Sequence, residues 1–453
     1  MTPTRLDWLD ALRGFAALVV VLFHLSPSMI GPDAHLAVFR VIDLGKYGVL
    51  LFFLVSGYVI PMSLERHGSL RRFWIGRLFR IYPAYLTAIA LVVVTTAAVP
   101  AVLRRETVSS LLAHATMLSD PLGLRGAVRP FWTLSYEMVF YLVVAGLFAW
   151  RLHRLSALWS AGLAVVAVLA GPALPDGLLS AGFQSRRVTA AVLLVLVAGC
   201  VAGFVTGPQS PVIQRWPRSG AEPAALPVRA AGAVAIGFVL LVAVNAHPTA
   251  QSTVASSQQG LLLLAVMFAG TVVYRTQYGQ VRGRVGVPVL LVVGLCLTVS
   301  ISWPTTAAVA ATFAVAFALR ERRMPRTLIR LGAISYSLYV LHVVVLSAFG
   351  RLVPHLAGRP LEIRLVVGVA FLVTALAVAE TSYRLVELPG QRLGRRLAGS
   401  GPSSRGAAEA AGTERHVPAG GDATHAAVSG GPATGGAGHA RFPDRRLLGH
   451  RRR

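Results

Sequence analysis

The chain has 453 residues, of which 55% are hydrophobic and only 13% charged. A charged share far below the ~25% of soluble domains excludes an ordinary water-soluble globule and points to a polytopic membrane protein. The formal charge of +25 does not point to nucleic acid, because the basic residues, all Arg except Lys46, fall between apolar runs as topology signals do.

Runs of ~17–25 apolar residues can cross a bilayer as helices. Candidates lie at residues 11–28, 46–63, 82–102, 131–150, 155–171, 188–206, 229–246, 259–274, 285–302, 305–319, 332–350 and 364–383. The expected fold is therefore all-α, an integral membrane bundle of about 10–12 helices set by that length criterion. Cys200 and Cys296 sit inside apolar runs, and no CxxC or Cys/His spacing suggests a metal site. Asp7 and Asp10 precede the first span and no small-residue cleavage pattern follows it, so it is expected to stay as the first membrane helix.

The first span carries Arg13 near its start and His24 deep inside. Eleven residues at 3.6 per turn is about three turns, so the two share a face and lie ~16 Å apart along the axis. Ionisable residues inside a membrane helix are costly and are functional candidates by default. The bland alternative is that Asp10 caps the helix, Arg13 snorkels and His24 bonds a neighbouring helix.

Further along, Arg77 and Arg80 stand at i,i+3 just before the third span, a spacing that turns both guanidiniums to one side. Arg pairs suit phosphate recognition, although an Arg cluster at a membrane edge is also ordinary topology anchoring. With a cytoplasmic N-terminus, the inside loops hold most of the arginines, while loops 247–258 and 303–304 hold no Arg or Lys. Loop 103–130 breaks this rule with Arg104, Arg105, Arg125 and Arg129 on the outer side. Either that loop needs cations or a span is miscounted.

In the fourth span Glu137 lies within or near the membrane, with Thr133 and Tyr141 one turn away on its face. It is expected to pair with an inward Arg or to act in catalysis. In the eleventh span Ser335, Tyr339 and His342 form one polar stripe at i, i+4 and i+7. They either bond between helices or line a polar cavity. Arg384, Glu387 and Pro389 are assigned to the cytoplasmic exit of the last span. From residue 391 the composition turns to Gly, Ala, Pro, Ser and Arg, so 1–390 is read as the membrane domain and 391–453 as a disordered basic tail. The H-x4-D spacing of His439 and Asp444 in that tail is taken as chance.

Several motifs in this order resemble the membrane-bound acyltransferase family 3, bacterial O-acyltransferases. They are LDALRGFAALVVVLFH, LFFLVSGYVI, RLFRIYP, FWTLSYEMVFYL, ISYSLYVLH and the closing Arg384 to Pro389. Arg13 and His24 match the family's Arg-x10-His, and Arg77 and Arg80 its Arg-x-x-Arg. The likeness covers residues 6–390, but twelve spans exceed the ten or so that it implies.

The resemblance implies transfer of an acyl group, most often acetyl, from acyl-CoA to a hydroxyl of a carbohydrate, glycolipid or glycosylated metabolite. Under it, His24 is the expected general base and Glu137 its catalytic companion. Arg13, Arg77 and Arg80 are expected to bind acyl-CoA (acetyl-CoA), the donor substrate. Asp10, Ser335, Tyr339 and His342 are assigned to substrate binding. No metal, no permanently bound cofactor and no nucleic-acid partner are expected. The partners are the lipid bilayer, acyl-CoA and a sugar acceptor, at the inner (plasma) membrane with both termini cytoplasmic. The competing reading is a proton-coupled transporter with His24, Glu137 and His342 as a relay.

Overall fold

The computed structural model describes residues 6–96, 101–124, 126–207, 226–246 and 254–399, and all of them belong to a unit spanning Met1–Gly401. Fifteen α-helices and no strand occur among the described residues. In chain order they are α1 Asp7–Ile30, α2 Pro32–Val41, α3 Leu44–His67, α4 Leu70–Thr96, α5 Ala101–Thr116, α6 Trp132–Ala149, α7 Ser156–Ala170 and α8 Phe183–Thr206. There follow α9 Leu226–Asn245, α10 Ser257–Gln277, α11 Gly283–Leu297, α12 Trp303–Ala318, α13 Arg326–Leu352, α14 Leu361–Ser382 and α15 Leu388–Gly399.

Each of the twelve apolar runs forms a helix, and ten helical segments among the described residues are long and apolar enough to cross a bilayer. The two that fall short are α11 and α12, with 15 and 16 residues. At 1.5 Å per residue they reach only ~22–24 Å, less than the ~30 Å hydrocarbon core. The span expected from residue 82 begins twelve residues earlier, at Leu70. Arg71, Arg72, Arg77 and Arg80 break its hydropathy, but Phe73, Trp74 and Ile81 are buried and hold those turns in the bundle. Arg77 and Arg80 thus lie inside a helix and not at its edge.

Helices α6 and α10 are buried almost all round and form the centre. Two glycine crossings fix the elements that frame the site. A Cβ at Gly57 of α3 would run into the Met267 carbonyl of α10, and one at Gly270 into the Leu54 carbonyl. Thr271 Oγ1 donates to Gly57 O at 2.8 Å across the same crossing. A Cβ at Gly332 of α13 would likewise meet the Asp10 carbonyl of α1. Small residues that let backbones touch are the usual adhesive between membrane helices, where burial alone gives no driving force.

Two segments differ from the sequence expectation. Residues 117–124 are irregular yet carry buried Met117, Leu118, Asp120 and Leu122. Non-helical backbone this deep needs protein partners, and it has them. Ser135 Oγ donates to Met117 O at 2.6 Å, and His114 Nε2 accepts from Ala127 N at 3.0 Å. At the other end, Leu388–Gly399 is helical, so residues 391–399, expected to belong to the tail, form an ordered element. Gly390 and Gly394 let α15 pack on Phe79 of α4, an approach that composition does not reveal. Residues 400–453, including His439 and Asp444, lie outside the described residues.

Candidate active site

Two cavities lie among α1, α3, α4, α6 and α13. The first has a volume of about 60 Å³ and is lined by Arg13, Ser56, Arg77, Arg80, Glu137, Tyr141, Tyr336 and Tyr339, among others. The second has a volume of about 190 Å³ and is lined by Phe23, His24, His35, Phe39, Asp43, Lys46, Arg129, Trp132 and Tyr339, among others. Val49 and Tyr339 line both. We call them the guanidinium cavity and the imidazole cavity.

In the guanidinium cavity the charges are held by neighbours. Glu137 Oε1 accepts from Tyr141 OH at 2.6 Å and from Ser56 Oγ at 3.1 Å. The Arg77 guanidinium sits 5.6 Å from the centre of the Phe73 ring and 5.5 Å from that of Tyr141, within cation–π range. Glu137 lies in the electrostatic field of both Arg13 and Arg77. Three guanidiniums and one carboxylate leave a positive cavity shaped for an anion.

Glu387 adds to this frame, although its sequence context suggested only a helix exit. Helix α14 runs into a π-helical turn, Tyr383–Glu387, which turns Glu387 inward. Its carboxylate is buried, accepts from Ser337 Oγ at 3.0 Å and from Gln391 Nε2 at 3.1 Å, and interacts with Arg80 and Arg13. π-Bulges recur at functional sites. The available signal was a glutamate one helical turn after Tyr383, at the end of an apolar helix.

In the imidazole cavity two histidines from α1 and α13 meet. His24 Nδ1 lies 2.9 Å from Val20 O, His342 Nδ1 lies 3.1 Å from Leu338 O, and His342 Nε2 lies 3.3 Å from His24 Nδ1. A carbonyl only accepts, so each Nδ1 carries hydrogen. His24 Nδ1–H is then shared between Val20 O and His342 Nε2, which must be the lone-pair nitrogen of a neutral ring. This assignment, made from the hydrogen-bond network, leaves Nε2 as the His24 ring nitrogen outside the pair. Asp43 caps α3 by accepting from Lys46 N at 2.8 Å. Burial pushes its carboxyl above the usual carboxylate range, against the opposing pull of the Lys46 amide.

The wall between the cavities is polar at one point. Thr133 Oγ1 and Tyr339 OH are 2.8 Å apart, and both donate to Pro130 O, at 3.0 and 3.2 Å. The structure thus brings Arg13, Arg77, Arg80, Glu137 and Tyr339 around one cavity and His24 and Tyr339 around the other, with His342 behind His24. Ser335 is fully buried, donates to Gly332 O of its own helix at 2.8 Å, and lines neither cavity. Asp10 lies at the α1–α13 crossing and also lines neither. Ser56, Tyr336, Glu387 and Arg129 were not among the expected site residues. No cluster of three metal-ligating side chains occurs among the described residues.

The sequence profile described as an acyltransferase domain matches residues 6–379. The chain is 34% identical over 146 residues to acyltransferase MdmB of Streptomyces mycarofaciens, covering 30% of this chain and 38% of that protein. It is 29% identical over 153 residues to peptidoglycan O-acetyltransferase OatA of Listeria monocytogenes, covering 30% and 23%. Against O-acetyltransferase OatA of Staphylococcus aureus (strain NCTC 8325 / PS 47) it is 27% identical over 170 residues, covering 34% and 26%. These matches span less than two-fifths of each relative's length. No solved structure matches. With a profile match over most of its length and, among the described residues, ten helical segments long and apolar enough to cross a membrane, the chain belongs to the acyltransferase 3 family.

Proposed function

We propose that the protein transfers an acyl group, most simply acetyl, from acyl-CoA to a hydroxyl of a carbohydrate or glycolipid at the bacterial inner membrane, with both termini cytoplasmic. The observation that carries this reading is the pair of adjoining cavities, one lined by three arginines and one by His24, with Tyr339 lining both. Arg13, Arg77 and Arg80 hold the phosphates of CoA, and Glu137 and Glu387 keep those guanidiniums in place. The pantetheine arm carries the thioester toward Val49 and Tyr339.

On the far side His24 Nε2 removes the proton from the acceptor hydroxyl as its oxygen attacks the thioester carbon. The tetrahedral oxyanion takes the Tyr339 O–H hydrogen away from Pro130 O, which keeps its bond from Thr133 Oγ1. Collapse breaks the carbon–sulfur bond, and His24 returns its proton to the departing sulfur. The products are the acyl ester and free CoA. His342 fixes the tautomer that leaves Nε2 basic, as a positioning residue and not a catalytic one. Cys200 donates to Ala231 O at 3.4 Å and lines neither cavity, which favours direct transfer over a thioacyl-enzyme. The relay alternative is less supported, because Glu137 and His24 line different cavities and His342 lines neither.

The test is the full chain in proteoliposomes with radiolabelled acetyl-CoA and a saccharide acceptor. Label on the saccharide with stoichiometric CoA release is expected. Proton-driven flux of the saccharide without labelling contradicts the reading.

A further inference from the structure

We infer that the imidazole cavity is built for an acidic sugar, whose carboxylate or phosphate pairs with Arg129. This deepens the acyl-transfer reading and rests on it for the fate of the sugar, but not for its binding.

The lining holds two basic side chains, Lys46 and Arg129, and one carboxyl, Asp43. Asp43 is already engaged by the Lys46 amide and lies in the field of the Lys46 ammonium. Arg129 is exposed, and no carboxylate among the described residues pairs with it. Its field reaches His24, so an anion held there keeps its sugar next to the basic nitrogen. The cation is also carried on a fixed turn. Arg129–Phe131 is a 3₁₀ turn whose Pro130 and Phe131 are buried, and Pro130 O is held by Thr133 and Tyr339. Trp132, Phe23 and Phe39 supply flat apolar walls for the C–H face of a sugar ring. Arg129 also runs against the charge sorting of the outer loops, where an Arg has no topological use. A neutral sugar gives no reason for an uncompensated guanidinium at this wall.

The test uses the full chain in proteoliposomes with acetyl-CoA and three acceptors: methyl glucoside, methyl glucuronide and methyl glucoside 6-phosphate. Either anion is expected to exceed the neutral glucoside in kcat/KM by about 10-fold, the scale of a charge-assisted hydrogen bond. The better of the two identifies whether carboxylate or phosphate is preferred. In Arg129→Gln the preference is expected to fall within twofold, through the acceptor KM and with the acyl-CoA KM unchanged, and Arg129→Lys is expected to keep part of it. Equal use of the neutral and anionic sugars, or an undiminished preference in Arg129→Gln, overturns the inference. Calorimetric binding of the same sugars without acetyl-CoA separates the two readings. Anion binding that depends on Arg129 with no sugar ever acylated supports this inference and defeats acyl transfer. Absence of any anion preference in binding defeats this inference, whether or not acyl transfer occurs.

Discussion

The guanidinium cavity and the imidazole cavity hold their charges in different ways. In the first, hydroxyls grip Glu137, two rings flank Arg77, and Ser337 and Gln391 fix Glu387. In the second, the histidine pair is fixed but Arg129 stands exposed at the wall. A pre-set cluster suits a donor whose phosphates are the same in every turnover. An open wall with one uncompensated cation suits an acceptor that differs between proteins of one family. On the proposed function, the difference makes the two cavities separable parts of the reaction, donor binding in the first and acceptor binding with proton transfer in the second.

Substitutions that touch one cavity alone test that separation. The largest effect is expected from His24→Ala, a loss of about 10³-fold in kcat, the range of a general base, with the acyl-CoA KM unchanged in steady-state assays. If the acyl-CoA KM moved as much as kcat, the cavities would not be separable. Val49→Trp puts bulk into the shared wall. It is expected to lower kcat about 10²-fold, the scale on which misplaced reactants lose rate, while acyl-CoA binding by calorimetry persists as the control for folding. Arg77→Ala is expected to raise the acyl-CoA KM about 10-fold with a smaller change in kcat, the loss of one charged hydrogen bond.

The smallest effect concerns the buried loop 117–124, which Ser135 of α6 holds at Met117. Burial holds the His114 imidazole below its ordinary range, and its Nε2 accepts from Ala127 N only while unprotonated. The unfolded segment therefore binds a proton more readily than the folded one, and stability falls as pH drops below about 6.5. The protection factor across residues 117–124, the exchange rate taken relative to the intrinsic rate at the same pH, is expected to fall between pH 7 and 5, and His114→Gln is expected to flatten that dependence. An equal pH response in both would remove His114 from the account.

The helical class and most helix positions were legible because apolar runs report membrane burial directly. The face shared by Arg13 and His24 followed from helical periodicity, and both do line cavities. Helix α4 was clipped because its arginines break hydropathy while their turns stay packed. The depth of residues 117–124 was hidden, since irregular backbone becomes buried only through partners remote in sequence, such as Ser135. Glu387 was taken for a helix exit because the π-helical turn that swings it inward leaves no periodic trace. Ser335 shared the stripe of Tyr339 and His342, but its hydroxyl closes on its own helix at Gly332. Spacing places a residue on a face; it does not say whether a short side chain reaches across.

The most direct measurement is photo-crosslinking with an acyl-CoA whose acyl end bears a diazirine, mapped by mass spectrometry on the full chain in proteoliposomes. The account predicts adducts at Val49, Tyr339 or His24 that excess CoA suppresses and Arg77→Ala weakens. CoA-sensitive adducts confined to residues outside both cavities would contradict it.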